Sequence, residues 1–287
     1  MLLQQLINAL VVGSVYALIA MGLTMVYGVL RILHIAHAAI YALGAYAGLF
    51  SFLFFHNFLI AFLIAMVICA LAGILMQQFI YLPLLESPRI VPLIASIGLF
   101  TFMEDLYRLV AGPYILPFPV NLGFSGIHFF GVTLTSHQLL ILVVTFILLG
   151  FVWLIIARTR IGLAWKATAQ DVETAISFGV NINKIIALNF TLGSALAAAA
   201  GVLIGIYYNS VYPAMGSVPA YKMLAIVVLG GLGSVTGTVV AALIIGFAET
   251  LMVGYIGFIL PRDAIAFIAL ILILMFRPEG LFGRVNR

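Results

Sequence analysis

Residues Ile185–Tyr221 read IIALNFTLGSALAAAAGVLIGIYYNSVYPAMGSVPAY, an unbroken run without Asp, Glu, Lys or Arg. A helix crosses the hydrocarbon core of a bilayer in about 20 apolar residues. The run therefore holds one crossing, a turn and the start of the next. Asn209, Pro213, Gly216 and Pro219 mark that turn. Ile32–Leu85 and Leu109–Ala157 are equally free of charge. Breaks in them fall at His56-Asn57 and in the Pro/Gly-rich region 112–131, and another lies at Gly230-Gly231-Leu232-Gly233-Ser234.

Composition agrees. Of 287 residues, 66% are hydrophobic and 7% charged, against about 25% charged in an ordinary soluble domain. Such a chain cannot clothe itself in polar surface, so its surface faces lipid. Cys69 is alone, which excludes an internal disulfide. Twelve basic residues against eight acidic ones, scattered through apolar sequence, make no nucleic-acid footprint. They act as topology signals. The first residues, Met1-Leu2-Leu3-Gln4-Gln5, lack the basic region of a secretory signal, so the first apolar stretch is expected to stay as a span.

The expected fold is an all-α polytopic membrane protein, one domain over residues 1–287. Its spans are 6–30, 38–55, 58–82, 90–110, 137–157, 184–208, 218–231, 235–254 and 258–276. The seventh is short, and fusing it with the eighth gives eight. Placing the polar segment after span five in the cytoplasm puts nine basic residues inside: Arg31, Arg89, Arg158, Arg160, Lys166, Lys184, Arg277, Arg284 and Arg287. Arg108, Lys222 and Arg262 fall outside or at the outer edge. The positive-inside rule thus sets the N-terminus outside and the C-terminus in the cytoplasm. Small residues at four-residue spacing (Gly193, Ala197, Gly201, Gly205; Gly233, Gly237, Ala241; Gly44, Gly48) let helices approach closely or line a path.

Residues 158–183 form the one sizeable polar stretch. Ala164, Ala167, Asp171, Ala175 and Phe178 fall on one helical face, and Gly179 reads as a helix stop before Asn181. A small-residue helix of this kind seats in a groove of another protein or lies on the membrane surface.

Within it, Arg160-x-Gly162, Lys166-Ala167, Ala169-Gln170-Asp171, Ala175 and Gly179-Val180-Asn181 resemble the coupling loop of ABC importer permeases. The likeness is to the LivH-type permeases of the branched-chain amino acid family. Further runs agree in order: Gly13-Ser14-x-Tyr16-Ala17-Leu18, Thr24-Met25-Val26-Tyr27-Gly28, Ile35-Ala36-His37, Val228-Leu229-Gly230-Gly231-Leu232-Gly233-Ser234, Gly246-x-Ala248-Glu249 and Pro278-x-Gly280-Leu281-Phe282-Gly283. Ala38-Ala39 stands where relatives often carry Gly-Glu, which leaves the substrate open among amino acids, urea, short amides and aromatic acids.

The resemblance implies a type II ABC-importer-like bundle in the bacterial inner membrane. It implies a second LivM-like permease (a homodimer being the alternative), two cytosolic ATPase subunits and a periplasmic solute-binding protein. Arg160, Lys166, Ala169, Asp171, Ala175, Gly179 and Asn181 would couple to the ATPases. No Gly-Lys pair occurs, so the chain has no P-loop, and partners would bind the ATP. Neither a catalytic constellation nor a metal or cofactor site is expected.

Candidates for the translocation path are His37, Tyr41, Gly44, Gly230, Gly231 and Glu249. Glu249 lies within a charge-free span, where a carboxylate is either functional or hydrogen-bonded between helices. His37 and Tyr41, one turn apart, line the path or pack. Glu104 and Arg108, with Asp105, suit an outer-edge ion pair or a contact for the binding protein. Spans one to four and six to nine are a possible inverted repeat. An ion-coupled secondary transporter is the rival mechanism, with Glu249 its one clear acid.

Overall fold

The computed structural model describes residues 2–123, 126–129, 131–255, 261, 263–277 and 279–282. Arg262, Pro278, Gly283, Arg284 and Arg287 lie outside the described residues. Helices α1 (Leu2–Leu30), α2 (His37–Phe55), α3 (Phe58–Met76), α4 (Ile90–Ala111) and α5 (Ser136–Arg158) come first. Two short helices follow, α6 (Arg160–Gln170) and α7 (Val172–Ser177). Then come α8 (Ile182–Tyr207), α9 (Ser217–Gly230), α10 (Val235–Tyr255) and α11 (Ala264–Phe276). Among the described residues each expected span meets one helix, α1 to α5 and α8 to α11; residues 258–260, the start of the ninth expected span, lie outside the described residues. Eight are long and apolar enough to cross a membrane; α9 reaches that length only with the 3-10 turn Pro213–Gly216 before it. The 13-residue α11 is shorter.

Local chemistry sets the boundaries. Asn57 caps α3 by accepting the Ile60 N–H at 3.2 Å. Thr135 and Gln138 form a reciprocal capping box at the head of α5. α3 continues as a π-turn, Gln77–Tyr81, and a 3-10 turn, Leu82–Leu84. The 112–131 region adds a feature the apolar pattern did not announce. Strands Ile127–Phe129 (β1) and Val132–Leu134 (β2) pair antiparallel, with His128 opposite Thr133. Gln4 ties this hairpin to the start of α1 by accepting the Thr133 N–H at 2.9 Å.

α1 and α8 are the most enclosed spans, while α4 and α5 face outward. In lipid no hydrophobic drive pushes apolar helices together, so close backbone contact must hold them. The small-residue ridges supply it. Gly201 meets the Tyr41 carbonyl and Gly44 meets Ala198 where α2 crosses α8. Gly22 packs on Gly193 between α1 and α8, and Gly246 packs on Gly13 between α1 and α10. At these positions a Cβ would overlap backbone.

Candidate functional site

The segment between α5 and α8 is built by short side-chain caps. Thr159 accepts the Gly162 N–H at 3.2 Å and starts α6. Gly162 lies on the last turn of α5, with no room for a Cβ beside the Ile155 and Ile156 backbone. Trp165 is buried against the bundle, its Nε1 donating to the Met25 carbonyl at 3.3 Å. It is thus a peg into α1 rather than an anchor in lipid.

The expected continuous helix breaks at Asp171. Asp171 Oδ1 accepts the backbone N–H groups of Glu173 (3.0 Å) and Thr174 (3.3 Å), and Oδ2 accepts the Thr174 hydroxyl at 2.5 Å. An aspartate that satisfies the next turn in this way ends one helix and caps another. The Thr174 hydroxyl, followed by the Thr174 and Glu173 N–H groups, holds the Asp171 carboxyl below its ordinary range. Gly179, at φ +80°, closes α7 with its N–H on Ile176 O at 2.8 Å. Asn181 then accepts the Lys184 N–H at 3.1 Å and starts α8.

Arg160, Lys166, Asp171, Gly179 and Asn181 are exposed on this segment, Ala169 is half-buried and Ala175 is buried. Phe178 is 85% exposed and Ile176 56%. Two helices joined by one capping residue therefore hold an unpartnered apolar tip away from the spans.

The six path candidates do not form one cluster. Gly230 and Gly231 end α9, where φ of +99° at Gly231 and +83° at Gly233 turns the chain sharply into α10. Gly230 and Gly237 meet backbone to backbone across that turn. The segment after α11 closes over it: Leu281 N–H donates to Leu229 O at 2.8 Å and Phe282 N–H to Gly230 O at 3.2 Å. Carbonyls left over at the end of α9 are thereby satisfied. His37 is enclosed at the head of α2, its ring filling the gap beside Gly22. Its neighbour His34 bonds through Nδ1 to the Tyr81 hydroxyl at 2.5 Å. Tyr41 and Gly44 lie inside the α2–α8 crossing.

Glu249 is completely buried and meets Lys222. Lys222, taken from the sequence as an outer-edge cation, is only 3% exposed. Its ammonium lies 2.9 Å from both Glu249 oxygens, donates to the Tyr16 hydroxyl at 2.8 Å and reaches Asp263 at 2.8 Å. The Tyr16 hydroxyl in turn donates to Glu249 Oε2 at 2.8 Å. α1, α9, α10 and the head of α11 are joined at one point. Apolar periodicity gives no sign of this, because Lys222 and Glu249 lie 27 residues apart on different helices. The one available signal was the presence of single charges of opposite sign inside adjacent spans. Glu104 and Arg108 do pair at the surface, and Arg108 also bonds Asp105 at 2.7 Å.

Comparison with known proteins agrees with this architecture. A family described as branched-chain amino acid transport system / permease component matches residues 5–276. The chain is 37% identical to the high-affinity branched-chain amino acid transport system permease protein BraD of Pseudomonas aeruginosa, over 98% of this chain and 96% of that one. It is 34% identical to the corresponding LivH protein of Escherichia coli, with the same coverage. LivM of Escherichia coli is more distant, at 26% identity over 93% of this chain and 67% of its own length. Among solved structures, PsaBC from Streptococcus pneumoniae in complex with Fab aligns with a TM-score of 0.52 at 14% identity, covering 98% of this chain and 93% of that one. A fold of closely packed spans, matched by relatives over almost its whole length, makes this chain a member of the branched-chain amino acid transport system permease family.

Proposed function

We propose that the chain is the LivH-type permease subunit of an ABC importer for branched-chain amino acids. The observation that carries the reading is full-length similarity to permease subunits of that system. Substrate enters from a periplasmic binding protein into a path between this chain and a LivM-like second permease. The Arg160–Asn181 segment lies in the cytosol and seats in a groove of one of two ATPase subunits. Its capped helices and exposed Phe178 suit that contact, because a rigid apolar tip transmits displacement. The N-terminus is outside and the chain itself performs no chemistry.

His37, Tyr41, Gly44, Gly230, Gly231 and Glu249 are enclosed by their own chain. We propose that they act from behind the path, by fixing the helix crossings that border it. Glu249 is committed to Lys222, which argues against its serving as the coupling acid of a secondary transporter.

The test is uptake of labelled leucine by cells that express the complete set of subunits, with and without an ATPase subunit. Uptake that requires the ATPase supports the reading. Uptake that persists without it and collapses with the proton gradient refutes it. Uptake of urea, a short amide or an aromatic acid in place of leucine would change the substrate alone.

A further inference from the structure

A cleft of about 820 Å³ lies where α1 ends, α10 begins and α6 crosses them. That is the size of a site for a small ligand. Arg31, Lys166, Ser234 and the first turn of α10 line it. Among the described residues no Asp or Glu lines it. Among the described residues neither cation has a carboxylate within 4.0 Å. The Arg31 guanidinium makes a long contact of 3.4 Å to the Ala169 carbonyl. Its backbone sits at φ +53°, tied by its N–H to Tyr27 O at 2.8 Å, so the turn that ends α1 delivers the side chain here. The start of α10 adds the positive end of a helix dipole, which favours anions.

The flank of the cleft is apolar. Trp153 lines it from α5 and is 53% exposed on that outward-facing span. Tryptophan near a span end marks the membrane interface. The cleft therefore joins a cationic interior to a lipid-facing wall at headgroup depth. That combination matches one occupant, an amphiphile with a phosphate head and acyl chains.

We infer that the cleft binds the phosphate headgroup of an anionic phospholipid, with its chains lying along α5. Arg31 and Lys166 hold the phosphate, beside the first turn of α10 that Ser234 caps. The inference rests on the importer reading only in placing this end at the cytosolic leaflet. A bound lipid there would act as a wedge between α6 and the α9–α10 turn.

The two tryptophans of the chain, Trp153 and Trp165, both line the cleft, so intrinsic fluorescence reports its occupancy. The full chain is placed in nanodiscs with brominated phosphatidylglycerol or brominated phosphatidylcholine at equal mole fraction. Phosphatidylglycerol is expected to quench at least twofold more strongly. The excess should vanish in Arg31→Gln/Lys166→Gln. It should survive in Lys184→Gln, which removes an exposed cation outside the cleft. Unchanged helical circular dichroism establishes that the double variant is folded. Should it unfold, the single variants are read in its place, each expected to lose part of the excess.

Equal quenching by the two lipids, or an excess that persists in the cleft variants, overturns the inference. Displacement by millimolar inorganic phosphate would assign the site to a free anion and overturn it too. So would loss of the excess on adding the ATPase subunits, which would make the cleft a protein joint. None of these readouts involves transport, so each leaves the importer reading to its own test.

Discussion

Lys222 on α9 and Glu249 on α10 form an ion pair inside the bundle, the ammonium 2.9 Å from each carboxylate oxygen and neither residue more than 3% exposed. Breaking one side of such a pair strands a buried charge and costs roughly 3–5 kcal/mol. The two sides are unequal. Lys222→Met removes the ammonium from Glu249, Tyr16 and Asp263 at once. Glu249→Gln keeps an acceptor and leaves Lys222 its contact with Asp263. Lys222→Met is therefore expected to lower the thermal unfolding midpoint in detergent more than Glu249→Gln does. The double variant Lys222→Met/Glu249→Leu should recover most of the loss. A double variant as unstable as the sum of the singles would contradict this account.

Glycines at helix crossings predict a second contrast. A Cβ on Gly44 would overlap Ala198 of α8, whereas a Cβ on Gly98 meets nothing within 4 Å. Gly44→Ala should destabilise by about 1–3 kcal/mol, the usual cost of overpacking. Gly98→Ala should be neutral or stabilising by up to about 1 kcal/mol, since alanine favours helix. Unfolding midpoints of the two variants measured side by side check this.

The turn at Gly179 calls for a different test. Its φ of +80° excludes most side chains, yet open space surrounds its Cβ direction. Backbone strain, not bulk, limits substitution there. Gly179→Asn, which tolerates the left-handed region, should keep ATP hydrolysis coupled to uptake better than Gly179→Val. Equal coupling in both would remove the turn from the mechanism.

Asp171 carries a pH dependence of definite sign. Hydrogen bonds from the Thr174 hydroxyl and the following N–H groups lower its folded pKa below the unfolded one. The cap is therefore fully present above the ordinary aspartate range and is lost as pH falls through the lowered folded value. Hydrogen exchange at Glu173 and Thr174, corrected for intrinsic rates, should accelerate only below that range. Asp171→Ala should show fast exchange at every pH.

Much of this fold was legible because lipid imposes a length on apolar runs. Among the described residues each expected span overlaps a helix, and Gly44, Gly48, Gly193 and Gly201 lie at crossings. Three side-chain placements were not legible, each for a physical reason. Asp171 fell on an acceptable helical face, but its side chain competes for the backbone donors of the next turn. The seat of Trp165 was hidden, because nothing local to it reveals the Met25 carbonyl 140 positions away. Lys222 read as an interfacial cation, because its partners lie on other helices. Of the path candidates, Gly44 carries a packing explanation from its four-residue spacing, while Gly230 and Gly231 read as a turn. The partners of Glu249 came only from the three-dimensional arrangement.

The orientation of the α6–α7 segment is tested most directly by accessibility. Cys69, the sole cysteine, is buried, so the parent protein is silent to thiol reagents. Phe178→Cys would place a thiol at the most exposed large hydrophobic position of the described residues. A membrane-impermeant maleimide should leave this variant unlabelled in intact cells and label it in inverted membrane vesicles, with protection when the ATPase subunits are bound. Labelling in intact cells would put the segment on the outer side, where no ATPase can reach it.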